Sequence, residues 1–268
     1  MLFVILSLLV ACGDDAADAP PRTTTTVEVT TTAAGSAGAD EPAVARGAAS
    51  LADAIPTIDA ASLMIVDYVY RNFGIDELVG ARPAAEERLR QPDLADDEII
   101  LRRLVEFDAE PRAGLEDEGS PTTAALGTAL HCDRVPPPAG YFDRLEELTA
   151  NGGYDATHAG LAVGWMTDLG CGSAELDATT ATVVDRIAAD FAARTEVSDL
   201  TVEQSAVLCY LDACDRVPAA WADDVRAAQH DDGGWGPGSS NWHMTMLAVW
   251  TLEALRGAGT GAPMVSAG

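Results

Sequence analysis

The chain has 268 residues and a formal net charge of −27, with 43 acidic side chains against 16 basic ones. A surface this acidic repels phosphate backbones, which excludes nucleic acid as a partner. It also lacks the basic patches by which proteins adhere to anionic membrane surfaces.

The N-terminus carries a short apolar run at residues 2–10. This run is too short to span a bilayer but has the length of a signal-peptide hydrophobic region. The sequence Leu9-Val10-Ala11-Cys12, followed by Gly13, resembles the lipobox of bacterial lipoproteins. The resemblance implies a signal peptide at residues 1–11, lipidation of Cys12, and anchoring on the extracytoplasmic side of the bacterial cell membrane.

Residues 12–47 are rich in Thr, Ala, Gly and Asp and poor in large apolar side chains. Such a segment buries too little apolar surface to offset the entropy lost on ordering. We therefore expect a flexible tether between the anchor and a folded domain at residues 48–258. The last residues, 259–268, are predicted to form a flexible tail.

The folded region is predicted to be all-α. Apolar residues recur at helical spacing in nine segments, and no segment shows the period-two alternation of a β-strand. These segments are Ala60–Phe73, Asp96–Phe107, Thr122–His131, Ala139–Thr149, Thr157–Leu169, Ala178–Arg194, Thr201–Ala213, Ala219–Gln229 and Trp242–Leu255.

The predicted helices alternate in character. Segments 157–169 and 242–255 are apolar on most faces, whereas 139–149, 178–194 and 219–229 carry charges along one face. A helix that is apolar all round is buried, and an amphipathic one borders solvent. The alternation predicts inner helices wrapped by outer ones, with Gly160 and Gly164 allowing neighbouring helices to approach closely.

A duplication supports this arrangement. Cys132-Asp133-Arg134-Val135-Pro136 recurs as Cys214-Asp215-Arg216-Val217-Pro218, and each copy leads to a glycine pair followed by an aromatic residue. A period of about 82 residues, two helical hairpins long, is typical of a helical repeat array.

The second copy contains Gln229-His230-Asp231-Asp232-Gly233-Gly234-Trp235, which matches the QW repeat of squalene–hopene and oxidosqualene cyclases. It is also similar to the Asp-Gly-Gly-Trp turns of protein prenyltransferase β-subunits. The resemblance to this terpenoid cyclase and prenyltransferase superfamily implies a small or incomplete α/α toroid of inner and outer helical hairpins. It implies structural turns at Gln229, Gly233, Gly234 and Trp235, and in the first copy at Gly152, Gly153 and Tyr154.

The catalytic residues of these families are incomplete here. The Asp-x-Asp-Asp acid motif of the cyclases is absent. Prenyltransferases bind zinc through an Asp, a Cys and a His; His243 matches the position of that His and Asp199 that of the Asp, but Thr201 replaces the Cys. The resemblance therefore implies no metal site, and we expect no cofactor.

Polar residues cluster at the predicted starts of the inner helices, which would ring one mouth of a toroid. Helix N-termini favour anions, and imidazole and carboxylate groups can serve acid–base chemistry. His158, Glu203 and His243 are candidates for catalysis, and Asp155, Asn241 and Trp242 for ligand binding. The alternative is that these side chains cap or pack against their own turns.

Four cysteines remain besides Cys12: Cys132, Cys171, Cys209 and Cys214. An even number in an exported protein indicates disulfides, and four cysteines allow three connectivities. A metal site is disfavoured because no Cys-x-x-Cys pair occurs.

Two functions remain open. The first is a non-catalytic, membrane-anchored module that binds an unknown ligand or cell-envelope partner. The second is an extracytoplasmic lyase or hydrolase that acts on a glycan or lipid-like substrate at the mouth formed by His158, Glu203 and His243. The incomplete catalytic motifs favour the first.

Overall fold

The computed structural model describes residues 42–92, 94, 96–111, 120–194 and 196–266. The predicted signal peptide and Cys12 lie outside the described residues. Within the described residues the predicted all-α fold is confirmed, since no β-strand forms and one isolated bridge pairs Trp235 with Asn241. None of the described helices is both long and apolar enough to cross a membrane.

Eleven α-helices occur in the described residues. They are α1 Pro42–Ala54, α2 Ala60–Phe73, α3 Ala81–Arg88, α4 Asp96–Ile100, α5 Pro121–Ala129, α6 Tyr141–Asn151, α7 Gly153–Asp168, α8 Ala174–Ala192, α9 Asp199–Tyr210, α10 Trp221–Ala227 and α11 Trp242–Leu255. Short 3₁₀ turns lie at Ile55–Thr57, Asp76–Leu78, Arg102–Leu104 and Cys214–Arg216.

The most strongly patterned helices match their predicted bounds. Helices α2 and α11 begin and end at the predicted residues, because Asp59 and Asn241 cap their first turns and both patterns are long. The predicted helix at 96–107 is instead broken: α4 ends at Ile100 and a 3₁₀ turn follows at Arg102–Leu104. Helices α1 and α3 lie outside the nine segments that the sequence predicts to be helical.

The buried helices pack on one another in the order in which they occur along the chain: α5 on α7, α7 on α9, and α9 on α11. Helix α11 also contacts α1 and α2. Helices α6, α8 and α10 pack on this series from outside. Close approach is confirmed at Gly164, where an added Cβ would lie 2.2 Å from the Tyr210 ring, and at Gly160, where it would lie 2.6 Å from Val207.

The folded domain begins earlier than predicted. Residues 42–47, assigned to the tether, belong to α1, in which Val44 and Leu51 are fully buried. The side-chain amide of Gln229 donates to the carbonyl of Ala43 at 2.8 Å, and the Arg46 guanidinium donates to the Gln229 oxygen. These contacts join α1 to a turn nearly 190 residues later, which a local pattern does not reveal.

The predicted flexible tail is also wrong for residues 259–266, which pack against the helices. Met264 and Val265 are 2% and 3% exposed. The Asn72 side-chain oxygen accepts from the backbone of Gly261 and Ala262 at 3.0 and 3.1 Å, and the indole of Trp165 donates to the Met264 sulfur at 3.1 Å.

Two disulfides join the four cysteines of the domain. Cys132 bonds to Cys171, 39 residues later, and links the segment after α5 to the segment after α7. Cys209 bonds to Cys214, five residues later, and closes the turn that ends α9.

Candidate functional site

Three side chains from two neighbouring helices converge at one end of the buried helices. Asp199 is the first residue of α9, Glu203 lies one turn later, and His243 is the second residue of α11. Each offers a ligand atom within 4.8 Å of the others. We call these three residues the mouth cluster.

Local sequence places each member. Ser198 and Thr201 form a capping box that starts α9, and the i, i+4 spacing sets Asp199 and Glu203 on one helix face. The Asn241 side chain accepts from the amide of Met244 at 2.8 Å and starts α11, which presents His243 to α9. Asn241 therefore caps α11, as the alternative interpretation from the sequence expects, and its assignment as a ligand-binding residue stays a prediction.

Hydrogen bonds orient the cluster. His243 Nδ1 lies 3.0 and 3.1 Å from the two carboxylate oxygens of Asp199. The Tyr154 hydroxyl donates to Asp199 Oδ2 at 2.8 Å, and the Thr157 hydroxyl donates to Glu203 Oε1. His243 Nε2 lies 3.9 Å from Glu203 Oε2, too far for a hydrogen bond.

The cluster is reachable from solvent and is acidic. The side chains of Asp199 and His243 are 27% and 37% exposed, whereas that of Glu203 is 6% exposed. Burial tends to lower the pKa of His243, but its hydrogen bond to Asp199 and the charges of Asp199 and Glu203 outweigh burial and raise it. Burial tends to raise the pKa of Asp199, yet its bonds to His243 and Tyr154 hold it below its usual value.

Sequence reasoning missed part of this site. Tyr154 was assigned to a structural turn and Thr157 to a helix start, but both support carboxylates of the cluster. The sequence indicates a role for Asp199 only through its match to a metal-ligand position of the prenyltransferases. Two features of the sequence point to these residues. Asp199 and Glu203 are four residues apart at a predicted helix start, and Tyr154 stands in the first repeat where the second repeat has Trp235.

The other predicted site residues have separate surroundings. His158 is half-buried on α7 and does not belong to the mouth cluster. Among the described residues, the mouth cluster is the one group of three His, Cys, Asp or Glu side chains whose ligand atoms lie close enough together to hold a metal ion. Asp155 accepts from Thr122 and Asn151 at 3.2 and 2.9 Å and so ties α7 to its neighbours. The Trp242 ring packs edge-to-face against His243, with centroids 5.5 Å apart.

The turn residues of the second repeat form a compact clip. Gln229 donates to the Gly233 carbonyl at 2.7 Å, and Trp235, fully buried, donates its indole N–H to the Val225 carbonyl at 2.7 Å. Gly233 has φ +87°, whereas φ of Gly234 is not positive. Gly234 is required for space, because an added Cβ would lie 2.5 Å from Ser240.

The counterparts in the first repeat behave differently. Gly152 and Gly153 have positive φ at the junction of α6 and α7. Tyr154 is 42% exposed, so it does not clip the turn as Trp235 does. Its hydroxyl reaches Asp199 on α9 instead.

The donor set differs from a zinc triad with a cysteine. Thr201, in the place of that Cys, is fully buried, and its hydroxyl donates to the Glu196 carbonyl and accepts from the Ser198 amide. A thiolate site does not fit this position. Asp199, Glu203 and His243 nevertheless offer two carboxylates and an imidazole, a donor set that suits divalent transition metals.

A cleft of about 820 Å³ opens at the opposite ends of the same helices. Its lining includes the rings of Tyr68, Tyr210 and Trp250, together with Asp168 and Asp212. Asp168 accepts from the Tyr210 hydroxyl at 2.6 Å and from the Met264 amide at 2.8 Å. Burial raises the pKa of Asp168, and these bonds offset part of that rise.

Comparisons with protein-family models, with curated proteins and with solved structures find no match to this chain.

Proposed function

We propose that this protein is a lipid-anchored, extracytoplasmic binding protein whose helical domain is an α/α toroid. The lipobox-like segment ending at Cys12 supports the anchor. The sequential packing of buried α5, α7, α9 and α11, with α6, α8 and α10 outside, supports the toroid. The ligand binds non-covalently at the mouth cluster.

The observation that carries this proposal is the partly exposed mouth cluster with Tyr154 hydrogen-bonded to it. The oxygens of Asp199 and Glu203 accept hydrogen bonds, so they suit a ligand rich in hydroxyl groups. Tyr154, 42% exposed, offers an apolar ring that can pack on the C–H face of a sugar, and the partly buried Trp242 ring lies against His243. These features favour a cell-envelope polysaccharide as the ligand.

Binding of the full-length Cys12→Ser variant, which lacks the proposed lipid anchor and needs no detergent, to a panel of cell-envelope polysaccharides and lipid vesicles tests the proposal. Tyr154→Ala should weaken polysaccharide binding at least about tenfold, or about 1.4 kcal/mol. Tyr154→Phe keeps the ring and should lose less. Val135→Ala removes a side chain of similar exposure, 50%, outside the mouth cluster and should bind as the wild type does.

Unchanged polysaccharide binding by Tyr154→Ala would place the ligand elsewhere. Binding to vesicles alone would replace the polysaccharide by a lipid-like ligand. An absence of binding to both would contradict the proposed function.

A second function, a lyase or hydrolase at the same mouth, is favoured by the contact between His243 and Asp199. A carboxylate that holds Nδ1 of a histidine orients the ring and leaves Nε2 to exchange protons with a substrate. Nε2 of His243 faces Glu203, a second proton-transfer group. Polysaccharide cleavage that disappears in both His243→Gln and Glu203→Gln, while binding persists, would establish the enzyme; intact polysaccharide after prolonged incubation would exclude it.

A further inference from the structure

The buried carboxylates of the described residues differ in how their charges are balanced. Asp67 lies 2.8 Å from Arg71 and 3.0 Å from Arg82. Glu98 lies 2.8 Å from Arg88, and Glu253 lies 2.7 Å from Arg256. Each of these three buried carboxylates therefore has an arginine partner.

Glu203 is the buried carboxylate that departs from this rule within the described part of the chain. It is 5% exposed, and its ion-pair partner there is His243, 3.9 Å away. Asp199, nearby, likewise pairs with His243 rather than with an arginine. A buried charge is costly unless a counter-charge or a metal compensates it, and one imidazole carries at most one positive charge against two carboxylates.

We propose that Asp199, Glu203 and His243 bind a divalent transition-metal ion, with Zn²⁺ and Mn²⁺ as the best-matched ions; this inference rests on the same mouth cluster as the proposed function. A doubly charged cation would balance both carboxylates. One imidazole nitrogen with two carboxylate oxygens is a donor set that binds such ions, and it differs from the all-oxygen sets preferred by Mg²⁺ and Ca²⁺.

The outer contacts of the cluster match those of a metal site. Tyr154 holds Oδ2 of Asp199, and Thr157 holds Oε1 of Glu203. Oδ1 of Asp199 lies 3.0 Å from Nδ1 of His243, and Oε2 of Glu203 lies 3.9 Å from Nε2 of the same ring. Hydrogen bonds from outside that fix one oxygen of each carboxylate orient the other toward a bound ion.

Solvent access indicates an open rather than a closed site. Three protein ligands leave coordination positions for a ligand from solution, as in metal sites that bind substrates. The partly exposed side chains of Asp199 and His243 put those positions on the solvent side of the cluster. The ion would thus contact the hydroxyl groups of a polysaccharide bound at the mouth.

Metal titration of the full-length protein in detergent, after treatment with a chelator and its removal, tests this assignment. Calorimetry with Zn²⁺ and Mn²⁺ should give one ion per chain, and Mg²⁺ at the same concentration should give no comparable signal. His243→Gln and Glu203→Gln should each weaken binding at least about tenfold. His158→Gln changes a histidine outside the cluster and should bind the ion as the wild type does.

A second measurement separates lost binding from lost folding. Metal binding to the native state raises the melting temperature by mass action, so Zn²⁺ should stabilise the wild type and His158→Gln but not His243→Gln. Glu203→Gln is nearly isosteric and removes the buried charge, so without metal it should melt no lower than the wild type. Equal metal affinity of His243→Gln and the wild type, or no saturable binding by the wild type, would overturn the assignment.

The outcome is distinguishable from that of the proposed function. Polysaccharide binding that depends on Tyr154 but persists in a chelator, with no metal bound, would reject the metal and retain the binding function. Stoichiometric metal binding without binding of any polysaccharide or vesicle would retain the metal site and reject the proposed binding function.

Discussion

At the scale of single residues, the aromatic side chains that follow the two glycine pairs have different roles. Trp235 is fully buried and bonds to the carbonyl of Val225, within its own turn region. Tyr154 is partly exposed and bonds to Asp199, 45 residues later. The duplicated turn therefore serves as a structural clip in one copy, while the other copy supplies a tyrosine that hydrogen-bonds to the mouth cluster.

Gly234→Val should destabilise the protein by about 1–3 kcal/mol, because overpacking displaces neighbouring atoms. An added Cβ at Gly234 would lie 2.5 Å from Ser240 and 3.0 Å from the Thr245 hydroxyl. Urea denaturation measures the change. Gly172→Val is the matched control, since no atom lies within 4 Å of its added Cβ and its φ is not positive; equal stability losses in both variants would contradict the packing argument.

Acid should destabilise the native state through His131, which is 5% exposed. Burial and the positive charges of Arg103 and Arg134 lower the pKa of His131 to about 4. The negative charge of Asp133 acts in the other direction and raises this pKa. The unfolded chain protonates this histidine near pH 6.5, so the stability from the neutral native form is present above that pH and declines below it. At pH 5 the loss is about 1–2 kcal/mol.

His131→Leu lacks this titration. Thermal melts of both proteins at pH 7.5 and 5.0 give the comparison, in which groups common to both cancel. The wild type should lose more stability than the variant between these pH values. Equal losses would show that His131 does not titrate in this way.

At the scale of helices and loops, both ends of the domain are fastened by contacts distant in sequence. Helix α1 is held by Gln229, and the segment 259–266 is held by Asn72 and Trp165. Two disulfides further restrict the loops that follow α5, α7 and α9. These contacts hold both ends of the described domain against the helices, while α9 and α11, which carry the mouth cluster, pack directly on each other.

Removing the Cys132–Cys171 bond by alanine substitution should cost about 4 kcal/mol, and removing Cys209–Cys214 about 2 kcal/mol. The reason is chain entropy: the first bond joins residues 39 apart and the second residues five apart. Urea midpoints of the two double variants under oxidising conditions provide the measurement. A larger loss from the shorter loop would contradict the entropic ordering.

Met264→Ala should cost about 2–3 kcal/mol, because it leaves a cavity in the core and removes the acceptor of the Trp165 indole. Limited proteolysis should then release the C-terminal segment sooner, which mass spectrometry can follow. Val79→Ala, at a side chain 58% exposed, is the control and should change neither stability nor cleavage. An unaltered melting temperature for Met264→Ala would contradict the packed position of the segment.

At the scale of the whole molecule, the net charge of −27 and the lipobox-like N-terminus define how the chain would meet its surroundings. An acidic domain is repelled by anionic headgroups, so the membrane attachment that we propose rests on a lipid at Cys12 and not on the domain surface. In the proposed function, ligands reach the mouth cluster from the extracytoplasmic space.

Cys12→Ser should release the protein from the membrane fraction into the soluble fraction, since the acylated thiol would be lost. Fractionation of cells that express the wild type and the variant, followed by detergent phase partitioning, measures the change. Cys209→Ser leaves Cys12 intact and should stay with the membrane. Retention of Cys12→Ser in the membrane fraction would contradict the lipoprotein assignment.

Much of the candidate site was visible in the sequence as residue types near helix starts. Glu203, His243 and Trp242 were selected there, because inner-helix N-termini share one end of such a bundle. The grouping of Glu203 and His243 with Asp199, and the exclusion of His158, required the rotation of each helix about its axis. A shift of one residue along a helix turns the side chain by about 100°, to another face of the helix. Sequence spacing alone does not fix how two packed helices are rotated relative to each other.

Taken by itself, the sequence determined the all-α class, the bounds of α2 and α11, and the alternation of buried and amphipathic helices. These properties depend on the spacing of apolar residues and on helix caps within about fifteen residues, so the local sequence is enough to predict them. Only the tertiary structure decided that α1 and residues 259–266 belong to the domain, which cysteines pair, and that Asp199, Glu203 and His243 meet. The physical reason is separation along the chain: Asp199 and His243 are 44 residues apart, and Gln229 and Ala43 are 186 apart.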